Sequence, residues 1–313
     1  MWFMFAAASA ICFGLRGILY QWTSQRPIDR NLLLLGVYLS GTVIAAVVNI
    51  FVGQPWSEGC WVGVLMGLFS FISNASMYKG FAVGKASLIA MFTGLPPVVV
   101  VILAYFLWGE KLNMWQSLSF LIIVFGILMI RYSNDISLRN LQGAQWGAIT
   151  MIAFGITDLS SKKATMLGAA TLPTLLMMYV TGSLLFGISW YMARRKLSSA
   201  TAMVAAAAET HEMGSPGGNG NSSDEQVIPK SNWSDSRTLS WGMFVGLTNI
   251  SGMMLVMPAF KLGVTGLVSV VIAMNVVFVL LYARFILKER FSRLEVSGLT
   301  CALIGILILR LAA

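Results

Sequence analysis

Residues 81–131 read FAVGKASLIAMFTGLPPVVVVILAYFLWGEKLNMWQSLSFLIIVFGILMIR, and residues 260–310 read FKLGVTGLVSVVIAMNVVFVLLYARFILKERFSRLEVSGLTCALIGILILR. A shift of 179 positions, without a gap, puts Phe81 on Phe260, Gly84 on Gly263 and Leu88 on Leu267. The same register carries Ala104 onto Ala283, Phe106 onto Phe285, Glu110 onto Glu289, Gly126 onto Gly305 and Arg131 onto Arg310. Each copy is an apolar run, a turn holding Glu beside a base, and a second apolar run. Self-similarity at one fixed period marks a duplicated architecture.

Composition names the solvent. The chain is 57% hydrophobic and 11% charged, against about 25% charged in soluble domains. So apolar a chain of 313 residues needs lipid around it. The net charge of +9 sits mostly between the apolar runs, where Lys and Arg set topology. Nucleic acid is not expected as a partner. Cys12, Cys60 and Cys301 show no metal-like spacing, and the one histidine, His211, lies in a polar stretch. No disulfide framework, zinc site, His-based nucleophile or cofactor is expected. The first apolar run has no basic leader and carries Arg16, so it reads as a membrane helix rather than a signal peptide.

About twenty apolar residues cross a bilayer as a helix. That criterion predicts ten spans: 2–22, 33–53, 59–78, 85–108, 114–131, 144–164, 172–193, 239–259, 264–287 and 294–311. Period-two alternation is missing, which leaves helices as the spanning structure. Residues 194–238, with GSPGGNGNSSDEQ at their centre, can bury little and are expected to form a disordered polar linker with a short helical start at 198–212. Phe13-Gly14 in the first span is echoed by Phe154-Gly155 in the sixth. The repeat is therefore five helices, 1–131 in the first copy and 132–193 with 239–313 in the second. An odd number of spans per copy makes the two copies enter the membrane from opposite sides, the inverted repeat of many secondary transporters.

The order FGLRG, then GFAVGKASLIAMFTGLPPVVVVILAYFLWGEKL, then FGILMIR resembles the EamA family of the drug/metabolite transporter superfamily, over the whole chain except the linker. The resemblance implies ten helices around a central cavity, with spans 1, 3, 4, 6, 8 and 9 lining it and spans 5 and 10 peripheral. It implies movement of small metabolites without nucleotide hydrolysis. This chain departs from the pattern at Asn275, which stands where the second copy would match Pro96, and at Glu58, where relatives are often basic.

Orientation pulls two ways. One face of the predicted bundle collects fourteen bases: Arg26, Arg30, Lys79, Lys85, Arg131, Arg139, five in the linker, Lys288, Arg290 and Arg293. The other face has five: Lys111, Lys162, Lys163, Lys261 and Arg310. The positive-inside rule puts the linker in the cytoplasm and both termini outside. The resemblance implies cytoplasmic termini. We follow the charges.

Polar side chains within the hydrocarbon are the candidates for function, since a charge there costs about 2.5–3.5 kcal/mol unless partnered or wetted. Arg16 either snorkels to the interface or faces a cavity opened by Gly14 and Gly17. Asp158 falls one step from the equivalent of Arg16. It either pairs with Arg16 across the pseudo-two-fold axis or with Lys162 one turn along its own helix. Asn74 and Asn249 either bind substrate or tie helices together. Pro96 and Pro97 remove two backbone donors and should kink the fourth span in mid-membrane, freeing carbonyls toward the cavity. Asn275 is expected to supply polarity at the matching place without the kink. Arg284 is expected to snorkel, and Glu110 and Glu289 to cap helices or pair with loop bases.

The substrate-cavity set is thus Arg16, Asn74, Pro96, Pro97, Asp158, Asn249 and Asn275, with no catalytic or metal-binding residue. The expected function is export of small metabolites, such as amino acids and related polar or amphipathic compounds, by alternating access across a bacterial plasma membrane. A lipid-handling or sensory protein on the same fold is the alternative, and a membrane-embedded enzyme a weaker one. Expected partners are the bilayer, a small-molecule substrate and a second copy through the peripheral helices.

Overall fold

A computed structural model describes residues 1–24, 26, 28–83, 86–132, 143–212, 233–286, 288 and 292–312, with the backbone alone at 21, 24, 86–87, 197, 200–212, 283–284 and 312. Gly84, Lys85, Arg139, Glu289 and Arg290 lie outside the described residues, as do the Arg284 and His211 side chains and residues 213–232 of the linker.

The described residues form α1 (Trp2–Ser24), α2 (Arg30–Val52), α3 (Val62–Val83), α4 (Ala86–Phe92), α5 (Pro96–Trp108), α6 (Met114–Arg131), α7 (Ala144–Met166), α8 (Thr171–Glu212), α9 (Asp235–Leu262), α10 (Thr265–Ala273), α11 (Asn275–Phe285) and α12 (Arg293–Ala312). Helices α4 and α5 together make one crossing, as do α10 and α11. The polytopic all-α fold expected from the repeat is present. Local chemistry sets the ends. Asp29 caps α2 by accepting from the Asn31 and Leu32 amides at 2.9 and 3.2 Å, and Gly53 ends it in the left-handed region at φ 66°. Asn113 and Gln116 form a reciprocal capping box on α6.

Among the described residues nine stretches are long and apolar enough to span a membrane, and α7 is not one of them. Asp158, Lys162 and Lys163 lower its hydropathy. It makes the tenth crossing because protein, not lipid, surrounds it: α7 packs against α3, α4, α5, α9 and α10. A polar helix is tolerable in a membrane where its polar face is enclosed.

Successive crossings alternate in direction, so the bundle has a face carrying both termini and an opposite face carrying the linker. We call these the terminal and linker faces. Small residues let the helices approach. A Cβ built on Gly126 of α6 would lie 2.6 Å from the Gly298 carbonyl of α12, and one on Gly298 would lie 2.7 Å from the Gly126 carbonyl. The two peripheral helices therefore seal against each other. The helical start expected at 198–212 is present, continuous with the seventh crossing. Helix α8 continues past residue 193 to Glu212, and α9 begins at Asp235 rather than 239. Arg194 of α8 bonds the Asp235 carboxylate, joining the two helices where the linker leaves the membrane.

Candidate functional site

Near the middle of the bundle a cavity of about 750 Å³, open space included, is lined by side chains from α1, α3, α5, α7, α8, α9, α10 and α11. Arg16, Pro96, Pro97, Asp158, Asn249 and Asn275 all reach its wall, together with Ser70, Thr93, Thr157 and Ser269. Asn74 is not on the wall. Its amide donates to the Ser70 carbonyl one turn back in α3 at 2.7 Å.

Arg16 does not snorkel. Its Nη1 donates to Asn249 Oδ1 at 2.5 Å, and Asn249 Nδ2 donates to the Tyr179 hydroxyl at 3.1 Å. The guanidinium also stacks over the Phe13 ring at 4.5 Å, a cation–π contact that partly offsets lost hydration. Three helices, α1, α9 and α8, thus hold one cation at the cavity wall. Its Nε is buried without a partner.

The Arg16–Asp158 pair, one of the two alternatives for Asp158, is not formed. No carboxylate among the described residues lies within 4.0 Å of Arg16. Asp158 instead accepts a hydrogen bond from the Ser269 hydroxyl of α10 at 2.5 Å. The alternative pairing with Lys162 is not formed either. Lys162 Nζ reaches toward the terminal face, donating to the Phe260 and Gly263 carbonyls, both at 2.9 Å, and lies 3.5 Å from Glu110. Those carbonyls end α9 and carry its negative dipole end, which draws the lysine away from Asp158. Glu110 bonds the Thr265 amide and hydroxyl, each at 2.8 Å. It caps α10 and pairs with Lys162 rather than with the adjacent Lys111.

The fourth crossing is broken, not just bent. Helix α4 stops at Phe92, and α5 begins with Pro96 and Pro97 in its first turn, where a missing N–H costs nothing. The freed Ala90 carbonyl does not face a ligand. Arg131, at the end of α6, donates to it at 2.6 Å and to the Thr93 hydroxyl at 2.7 Å. The ninth crossing breaks at the symmetry-related place, between Ala273 and Asn275. Asn275 therefore sits at the break it was expected to avoid, and its amide donates to the Ile272 carbonyl at 3.0 Å.

Sequence reasoning missed Ser269, Thr93 and the inward turn of Arg131. Ser269 matches Ala90 in the other copy and Arg131 matches Arg310, so symmetry alone gives neither a role. An available signal was the i, i+4 spacing of Thr265 and Ser269 on one helix and of Asp158 and Lys162 on another.

Comparison with known proteins agrees with this architecture. A crystal structure of a protein, one of 28 matching chains among solved structures, superposes with a TM-score of 0.70 at 14% identity, covering 100% of this chain and 97% of the other. That likeness speaks to the fold alone. No curated protein sequence matches. The model of the EamA-like transporter family matches residues 1–132 and 222–311, which takes in the broken fourth and ninth crossings and the wall residues Arg16, Pro96, Asn249 and Asn275. The chain thus belongs to the EamA-like transporters of the drug/metabolite transporter superfamily, and is a multi-pass membrane transporter.

Proposed function

We propose that the protein exports small zwitterionic metabolites, amino acids foremost, across a bacterial plasma membrane by alternating access. One observation carries the substrate class. Arg16 and Asp158 line the same cavity, and among the described residues no opposite charge lies within 4.0 Å of either. Two unpaired charges of opposite sign at membrane depth each favour a counter-charge. A substrate offering carboxylate to Arg16 and ammonium to Asp158 satisfies both at once. Pro96, Pro97, Phe13, Met253 and Val256 give the rest of the wall an apolar surface, suited to an amphipathic side chain. Asn249 orients Arg16, and Ser269 orients Asp158. Export and a bacterial plasma membrane are part of this proposal; the family resemblance itself implies movement of small metabolites in either direction.

The test is counterflow. Purified protein in liposomes preloaded with a mixture of unlabelled neutral amino acids should accumulate the same compounds, radiolabelled, in the lumen. Arg16→Met and Asp158→Asn should each abolish that accumulation. Label found in the lipid fraction instead of the lumen would favour lipid handling. Absence of counterflow with every zwitterion offered would overturn the substrate class.

A further inference from the structure

We infer that Asp158–Ser269 and Lys162–Glu110–Thr265 form a two-rung polar ladder that is the closed gate at the terminal face. The inference rests on the reading of the protein as an alternating-access carrier. Asp158 and Lys162 stand at i, i+4 on α7, and Thr265 and Ser269 at i, i+4 on α10, so each pair occupies one helix face. The deeper rung is the Ser269 hydroxyl donating to Asp158 at 2.5 Å. The outer rung is Glu110, bonded to Thr265 at 2.8 Å through both amide and hydroxyl and facing Lys162 at 3.5 Å. Lys162 also holds the last carbonyls of α9. Four crossings are thereby tied together between the cavity and the terminal face.

Packing agrees. A Cβ built on Gly266 would lie 2.2 Å from Val101 Cγ2, so α10 and α5 are in close contact on that side. Among the described residues, the other halves of the same crossings, α4 and α11, are not a closely packed pair.

The inverted repeat shows why the two faces differ. At the register of Phe13 with Phe154, Asp158 corresponds to Gly17 and Lys162 to Gln21. At the shift of 179, Thr265 corresponds to Ala86 and Ser269 to Ala90. Inversion puts these four counterparts at the linker face, and Gly, Gln, Ala and Ala cannot build the same ladder there. The Asp, Lys, Thr and Ser of the ladder are thus not repeated at the linker face, Glu289, the counterpart of Glu110, lying outside the described residues; alternating access requires the terminal-face lock to come apart.

A substrate-free measurement tests this. In a background with Cys12, Cys60 and Cys301 replaced, Ala273→Cys places a thiol on the cavity wall. An impermeant maleimide should reach it from the linker face, and only slowly from the terminal face, in vesicles of opposite orientation. Adding Glu110→Gln and Lys162→Met should raise terminal-face labelling about tenfold, which corresponds to about 1.4 kcal/mol removed from the closed state. Equal labelling from both faces before those changes, or an unchanged terminal-face rate after them, would overturn the gate. A second protein covers misfolding of the first. The Cβ built on Gly266 is 3.4 Å from Val101 Cβ, close to the roughly 3.5–4.5 Å of a disulfide. Oxidised Val101→Cys/Gly266→Cys should lose counterflow, and reductant should restore it. Undiminished counterflow in the cross-linked protein would also overturn the gate. The labelling assay needs no substrate, so failure of the zwitterion reading leaves its result intact.

Discussion

Tyr38 of α2 and Tyr179 of α8 meet edge to face, with ring centroids 5.6 Å apart, and each ring fills the space above a glycine on the other helix. A Cβ on Gly182 would lie 2.1 Å from the Tyr38 ring, and one on Gly41 would lie 2.4 Å from the Tyr179 ring. The segments Tyr38-Leu-Ser-Gly41-Thr42 and Tyr179-Val-Thr-Gly182-Ser183 are thus two copies of one knob and hole. Thr42 and Ser183 complete the symmetry with their hydroxyls 3.2 Å apart. Gly182→Ala should destabilise the protein by about 1–3 kcal/mol through overpacking, read as a lower melting temperature in detergent. Combining it with Tyr38→Ala should cost less than the two single changes added, because the knob is gone. Strict additivity would show that the ring does not occupy the hole.

Arg16 and Asp158 share a cavity but not a bond, which sets the outcome of a double-mutant cycle. A buried ion pair broken at one partner costs about 3–5 kcal/mol. Here Arg16→Met removes a partner from Asn249, not from a carboxylate, and Asp158→Asn leaves Ser269 an acceptor. Both variants should fold, and their coupling in detergent melting should stay below about 0.5 kcal/mol. A coupling of several kcal/mol would mean that the two charges pair in the folded protein.

Pro96 and Pro97 open α5 immediately after the break that ends α4. Pro96→Ala/Pro97→Ala restores two N–H donors, able to bond Phe92 and Thr93 carbonyls and fuse the halves. Transport by reconstituted protein should slow several-fold while melting is unchanged or rises, the two restored helix hydrogen bonds offsetting the buried ring atoms lost from Pro96 and Pro97. Wild-type turnover in the variant would exclude the break from the transport cycle.

The architecture was legible because duplication and hydropathy act over tens of residues. The 179-residue register predicted a repeated pair of apolar runs joined by a turn, and the tenth crossing was recovered despite the charges of α7. The site was legible at the level of which residues face inward: polar groups at membrane depth have few other places to go. Their pairings were not. Asp158 chose Ser269 over Arg16 because a hydroxyl 111 residues away is delivered by the packing of α10, which no local spacing encodes. Lys162 turned to the end of α9 for the same reason. Asn275 was misjudged because proline was taken as the cause of the break, whereas the ninth crossing breaks without one.

The remaining prediction concerns which face is cytoplasmic. Fourteen bases lie on the linker side and five on the terminal side. The structure adds that three of the linker-side bases stack on indoles. Arg26 stacks over Trp22 at 3.5 Å, Arg237 over Trp233 at 4.4 Å, and Lys79 over Trp146 at 4.1 Å. Indoles settle at the headgroup level, so these cations sit at the interface, where the positive-inside rule weighs charge most. Lys196, exposed at the point where α8 leaves the membrane, is the site to probe. In a cysteine-free background Lys196→Cys should resist an impermeant maleimide in intact cells and react once the membrane is permeabilised. Reaction in intact cells would place the linker outside and the termini in the cytoplasm, and would assign the polar ladder near the terminal face to the cytoplasmic gate.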